Sequence, residues 1–186
     1  MGDGFGGQQL SAWTFDASDG ELLLHTGVTG TAARMGHRLT IAVRSWHATV
    51  EWDGDDPAAV EVTVDLDSLD VLRGEGGMTP LSGTEKTLVR TNASKTLRVK
   101  RFPEARFRST AIDREADSLR LTGTLELGGK TGDQTVEVRV GDKEISGAAV
   151  VRHTDFGIKQ YSMLMGAMKV ADDVRVTLTL ARPDAE

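Results

Sequence analysis

The chain has 186 residues, 39% of them apolar, with 22 Lys plus Arg against 28 Asp plus Glu and no cysteine. This length and apolar share fit one ordinary globular domain, and a net charge of −6 argues against a nucleic-acid binder, which needs clustered cations to displace counterions from phosphates. Without cysteine there is no disulfide, no thiolate nucleophile and no Cys-based zinc or iron–sulfur site.

The opening Met1-Gly2-Asp3-Gly4-Phe5-Gly6-Gly7-Gln8 has neither a basic start nor an apolar core, so no signal peptide is read and the expected location is cytoplasmic. Apolar runs such as Leu22-Leu23-Leu24 are far too short for a transmembrane segment. Residues 1–11 are expected to form a flexible N-terminal segment and residues 12–183 a single domain. Residues 12–16 pair at a rim of the sheet in this reading, and the first full strand falls near 21–28.

Between Arg38 and Trp52 the apolar side chains Leu39, Ile41 and Val43 hold odd positions, whereas Trp46, Ala48, Val50 and Trp52 hold even ones. The slip near Arg44-Ser45 predicts a β-bulge or sharp bend between strands at 38–43 and 46–53. After the turn Gly54-Asp55-Asp56-Pro57, Val60, Val62, Val64 and Leu66 alternate with polar residues, which gives a strand over 58–67. Ser82 and Glu85 stand at capping-box spacing, and Leu88, Val89, Ala93, Thr96 and Leu97 share one helical face, so one helix is expected, ending before Phe102-Pro103.

Alternation then resumes over 104–112 and over 118–127, where Leu119, Leu121, Leu125 and Leu127 share a face with Gly123. It continues over 134–140 (Val136, Val138, Val140), 144–152 and 173–181 (Val174, Val176, Leu178, Leu180). Half-apolar strands of this kind form antiparallel sheets with one wet face. A sheet this large leaves long edges unless it closes, and a barrel of about eight strands either fills with side chains or holds one small ligand. A β-sandwich satisfies the same periodicity.

Six segments carry a family resemblance across nearly the whole chain. They are Trp13-Thr14-Phe15-Asp16; Gly36-His37-Arg38-Leu39-Thr40-Ile41 through Trp46; Val62-Thr63-Val64-Asp65 into Asp67-Ser68-Leu69; Phe102 to Thr110; Leu121 to Gly129; and Arg152-His153-Thr154-Asp155-Phe156-Gly157-Ile158. In order and spacing they resemble the YceI-like family. The resemblance implies an all-β fold, an extended antiparallel lipocalin-like β-barrel of about eight strands with one short helix near an opening. It also implies an elongated apolar interior that accepts a polyisoprenoid, isoprenoid quinone or fatty-acyl chain. The chain departs from the commoner family pattern between Leu72 and Leu97, around Gly74-Glu75-Gly76-Gly77-Met78. That departure bears on the ligand more than on the fold.

On this reading the ligand-binding residues are Leu39, Ile41, Val43, Trp46, Val62, Val64, Leu121, Leu125, Val138, Phe156, Met163 and Met165. His37, Arg152 and His153 are the candidates to meet a polar head group at the mouth, although Arg152 is equally suited to an ion pair with Asp155 or Asp172. Met163, Met165 and Met168, with Tyr161 and Leu164, form either a deformable lid or core filling, since methionine adapts its shape to irregular neighbours.

No catalytic residue is assigned. Gly129-Lys130-Thr131 lacks the first glycine of a phosphate loop, because Thr124 stands there, and no Gly-x-Ser-x-Gly elbow is present. His25, His37, His47 and His153 have no metal-ligand spacing, so no metal site and no required cofactor are expected. The expected partner is a hydrophobic small molecule, with no nucleic acid, no transmembrane segment and homodimer formation left open. Three readings compete: a carrier or sequestering protein for a long amphiphile, a small-molecule enzyme using polar groups at the mouth, and an interaction module with a filled barrel. The almost pure Val and Leu inward faces favour binding over acid–base chemistry.

Overall fold

The computed structural model describes residues 11–184. The segment expected over residues 1–11 lies outside the described residues except for Ser11, which begins the first strand. Seven strands precede the single helix: β1 (Ser11–Asp16), β2 (Gly20–His25), β3 (Val28–Thr29), β4 (His37–Val43), β5 (Trp46–Asp53), β6 (Asp56–Asp65) and β7 (Leu69–Gly76). After α1 (Gly83–Thr96) come β8 (Glu104–Glu115), β9 (Ser118–Leu127), β10 (Lys130–Val140), β11 (Glu144–Arg152), β12 (Ser162–Met163), β13 (Met168–Val170) and β14 (Asp173–Ala181).

Eleven strands form one sheet in the order β1-β5-β6-β8-β9-β10-β11-β14-β2-β4-β7, and β12-β13-β3 form a small second one. The ends of the large sheet are joined through the chain itself. β4 runs into β5 across Arg44-Ser45, and β6 into β7 across a 3-10 turn at Leu66–Ser68. Together they make one bent hairpin, paired from His37↔Gly76 to Asp53↔Asp56. Across the bend the Arg44 N–H donates to Ser68 O and the Asp65 N–H to Ser45 O, both at 3.0 Å. β1 and β2 follow the same path, pairing with β5 and β4 in turn. With β1/β2, β4/β5 and β6/β7 each counted as one bent strand, eight long antiparallel strands curl around a common interior.

The phase slip at Arg44-Ser45 is therefore the bend, and the two intervening residues let both Val43 and Trp46 turn to the buried side. Several features differ from expectation, among them β7, β12 and β13, over residues where no strand was expected. β1 pairs along its full length with β5 instead of only at a rim. The run expected over 21–28 breaks into β2 and β3, and β10 begins at Lys130, directly after the turn. That turn, Gly128-Gly129, has φ of +60° and +81°, the two left-handed positions of a tight hairpin that glycine occupies without strain. It also accepts the Phe102 ring, since a Cβ on Gly129 would come within 2.5 Å of it.

α1 carries both halves of its capping box: Ser82 N–H donates to Glu85 Oε2 at 3.0 Å and Glu85 N–H to Ser82 Oγ at 3.1 Å. Arg90 ties the helix to the start of β7 by donating to Leu69 O at 2.9 Å and Asp67 O at 2.6 Å. Val89, Ala93 and Leu97 pack against a core of Phe15, Leu22, Ile41, Val43, Leu69 and Val71. A second cluster is built on Leu66, Val99, Ala105, Leu127, Phe156 and Ile158, with Leu97 at the end of α1 packed against it.

Candidate functional site

The interior is hollow. A continuous cavity of about 790 Å³ runs between the sheet and α1, and its walls include every inward side chain of the clean strands, from Val60, Val62 and Val64 to Val176 and Leu178. Hollowness shows in burial as well as volume: Val136, Val138 and Val140 point inward yet remain only half-buried, because the space they face is not filled by other side chains. The helical face read from sequence, Leu88, Val89, Ala93, Thr96 and Leu97, forms part of the wall.

Nine of the twelve residues expected to contact ligand line this cavity: Leu39, Ile41, Val43, Val62, Val64, Leu121, Leu125, Val138 and Met163. Trp46, Phe156 and Met165 do not. Trp46 follows the bend and lines a smaller pocket with Ser45, His47 and Thr63. Phe156, only 1% exposed, sits in a 3-10 turn outside the cavity lining and packs with Leu66, Val99, Leu127 and Ile158. Met165 adopts left-handed φ of 55° and points fully into solvent.

Two residues not among the expected ligand contacts lie at the far end. Trp13 and Trp52 line the cavity with ring centroids 4.6 Å apart, on paired strands β1 and β5. Their signal is the alternation of Trp13 with Phe15 and of Val50 with Trp52, which continues the inward phase of each strand.

Of the head-group candidates, His37 and His153 line the cavity and Arg152 does not. His37 Nε2 lies 2.7 Å from the Thr79 carbonyl, which ties β4 to the loop before α1. Arg152 Nε donates to Asp173 at 3.1 Å in an exposed pair, so its carboxylate partner is neither Asp155 nor Asp172. Asp172 instead accepts from the Thr154 N–H at 2.9 Å and hydroxyl at 2.6 Å, bonds that hold its carboxyl below the ordinary value. His25, near the same end of the barrel, is hydrogen-bonded at 3.0 Å to Thr177 Oγ1. Burial, followed by the charges of Arg175 and Arg73, pushes its imidazole below the ordinary value of 6.5.

Apart from Arg182 at the opposite end, the charged and histidine lining groups thus gather toward one opening while the walls behind it are mainly aliphatic and aromatic, a division suited to an amphiphile and unsuited to a fully polar solute. A YceI-like domain model matches residues 13–181, which is nearly the entire barrel. The chain belongs to the YceI-like family.

Among curated YceI proteins, one from Salmonella arizonae is 31% identical over 99 residues, covering 52% of this chain and 46% of that protein. The chain therefore matches about half the length of its curated YceI relatives. Two solved structures share the YceI-like fold. Burkholderia cenocepacia BcnA superposes with a TM-score of 0.68 at 18% identity, covering 90% of this chain and 99% of the other. A Campylobacter jejuni YceI protein gives a TM-score of 0.58 at 14% identity, covering 78% and 85%. Among the described residues no helix is long and apolar enough to cross a membrane, and no cluster of three acidic, histidine or cysteine side chains is grouped to hold a metal.

Proposed function

We propose that this YceI-like barrel binds one long-chain amphiphile of polyisoprenoid, isoprenoid-quinone or fatty-acyl type, and acts as its carrier, store or sequestering protein. The observation that carries this reading is the 790 Å³ cavity with continuous apolar walls. Its volume lies in the upper part of the roughly 300–1,000 Å³ range of small-molecule sites. Removing hydrocarbon from water is worth about 0.8 kcal/mol per methylene, so a chain of about fifteen carbons gains roughly 12 kcal/mol. That gain is comparable to the association cost of about 4–15 kcal/mol, and the half-exposed wall residues hold the space ready before the ligand arrives. In the bound state the tail lies along the Val and Leu faces and the polar end sits near His37 and His153.

The test combines native mass spectrometry with probe binding. The gently purified protein is expected to carry material extractable into organic solvent, to bind added long-chain fluorescent fatty acid, and to change its Trp13 and Trp52 emission on loading. Val138→Lys, which places a charge on the cavity wall, is expected to weaken probe binding about tenfold or more, about 1.4 kcal/mol. A bare chain that binds no long-chain probe would overturn the reading, as would unchanged binding by a folded Val138→Lys protein.

A further inference from the structure

Among the described residues eight large hydrophobic side chains are exposed, and seven of them belong to the segments around the cavity mouth. Met35 precedes β4, Met78 lies before α1, Leu88 is on α1, and Tyr161, Met163, Leu164 and Met165 surround β12. Exposed apolar side chains scattered singly are ordinary, but a concentration at one opening is not. The tip between β12 and β13 is the sharpest part of this patch. Leu164 and Met165 both take left-handed backbone, with φ of 53° and 55°, a conformation unfavourable for branched or long side chains, and neither is buried by the rest of the protein. The tip rests on a fixed base: Ala32 N–H donates to Ala167 O at 2.9 Å, Val170 N–H to Tyr161 O at 2.9 Å, and Asn92 to the Tyr161 hydroxyl at 3.0 Å.

Glu75, Glu85, Asp155 and Asp172 border the mouth, but three of the segments that form it contain no acidic residue. Segments 26–38, 77–84 and 157–171 contain the cations Arg34, Arg38, Lys159 and Lys169 and no Asp or Glu, although the net charge is −6. Among the described residues none of these four takes part in an ion pair. Glu85, the acidic residue lining the cavity, is engaged by the capping box of α1. A rim of Met, Leu and Tyr flanked by cations matches the layering of an anionic bilayer, whose acyl region takes apolar side chains and whose phosphates attract Lys and Arg.

We propose that the mouth face docks on an anionic lipid bilayer, with Leu164 and Met165 entering the acyl boundary and Arg34, Arg38, Lys159 and Lys169 meeting the phosphates. Docking itself stands on the patch and its charge. Its further consequence, that an amphiphile passes between bilayer and cavity without crossing water, rests on the binding function proposed above.

Flotation of the purified protein with vesicles of phosphatidylglycerol and phosphatidylcholine, compared with phosphatidylcholine alone, tests the docking. Binding is expected to be about tenfold stronger on the anionic vesicles and to weaken as salt is raised from about 0.1 M to about 0.5 M. The double variants Leu164→Asp/Met165→Asp and Arg34→Glu/Lys159→Glu are each expected to lose about tenfold in vesicle binding, with circular dichroism and uptake of a fluorescent fatty acid from solution unchanged. None of these four side chains lines the cavity. Failure of the wild type to float would overturn the proposal, as would vesicle binding indifferent to both double variants. A concentration-dependent dimer in light scattering that Leu164→Asp/Met165→Asp dissolves would overturn it too, by assigning the face to a second copy of the chain. Loss of vesicle binding with probe uptake intact removes docking alone; loss of probe uptake with vesicle binding intact removes the amphiphile cavity alone.

Discussion

His25 shows how one side chain couples the barrel to pH. Its imidazole is packed at the end of β2 against Thr177 and faces the guanidinium groups of Arg175 and Arg73, so the folded protein disfavours the protonated form. With the folded pKa below the ordinary 6.5, the unfolded chain binds more protons between the two values, and stability rises with pH there. The contribution is complete above about 6.5 and is lost as pH falls through that value toward the folded pKa. Melting curves from pH 8 to 5 are expected to show Tm falling as acid is added through this window, with a shallower fall in His25→Gln. An identical slope in the variant would show that other groups carry the dependence. Asp172 acts in a lower window: bonded by Thr154, it contributes above the ordinary 3.8 and loses that contribution as its carboxylate is protonated.

α1 is the element on which the cavity depends most directly, because it forms the wall on the side where β7 has no further strand neighbour. It has no fully buried residue, so its ends matter more than its packing. Ser82→Ala removes one bond of the capping box and is expected to cost about 1 kcal/mol, which lowers Tm by roughly 2–4 °C in a domain of this size. Differential scanning calorimetry measures it, and an unchanged Tm would show that the helix is held by Arg90 and its wall contacts alone. The helix was legible because its start signal and apolar face are both local in sequence. β7 was not. Leu69 and Val71 alternate with Asp70, but the register then slips at Leu72, so that Arg73 and Glu75 break the apolar phase and Gly74 falls opposite Leu39. Gly74 is needed because a Cβ there would meet His37 at 3.0 Å and Leu81 at 3.2 Å, a tertiary constraint that reads locally as a loop.

At the scale of the whole molecule, period-two alternation made the inward faces of β6, β9, β10 and β14 readable, and with them one side of the cavity wall. The three expected ligand contacts that fall outside the cavity, Trp46, Phe156 and Met165, all sit where strand periodicity stops: after a bend, in a 3-10 turn and at a left-handed tip. Alternation is equally silent on whether a barrel is solid or hollow, since both place the same residues inside. The closure of the ring carries a kinetic consequence. Most strand pairs join neighbours in sequence, and even the long bent hairpin zips outward from the turn between Asp53 and Asp56. The pairing of β2 with β14 instead brings Leu22 against Leu178, from opposite ends of the chain, and carries the largest loop-closure entropy in the sheet. Pulsed hydrogen exchange during refolding is expected to protect β9 and β10 amides first and those between β2 and β14 last; simultaneous protection would show that the barrel closes in one step. An unfinished barrel is therefore one whose two ends have not yet met, and it offers solvent the same apolar wall that the finished one reserves for its ligand.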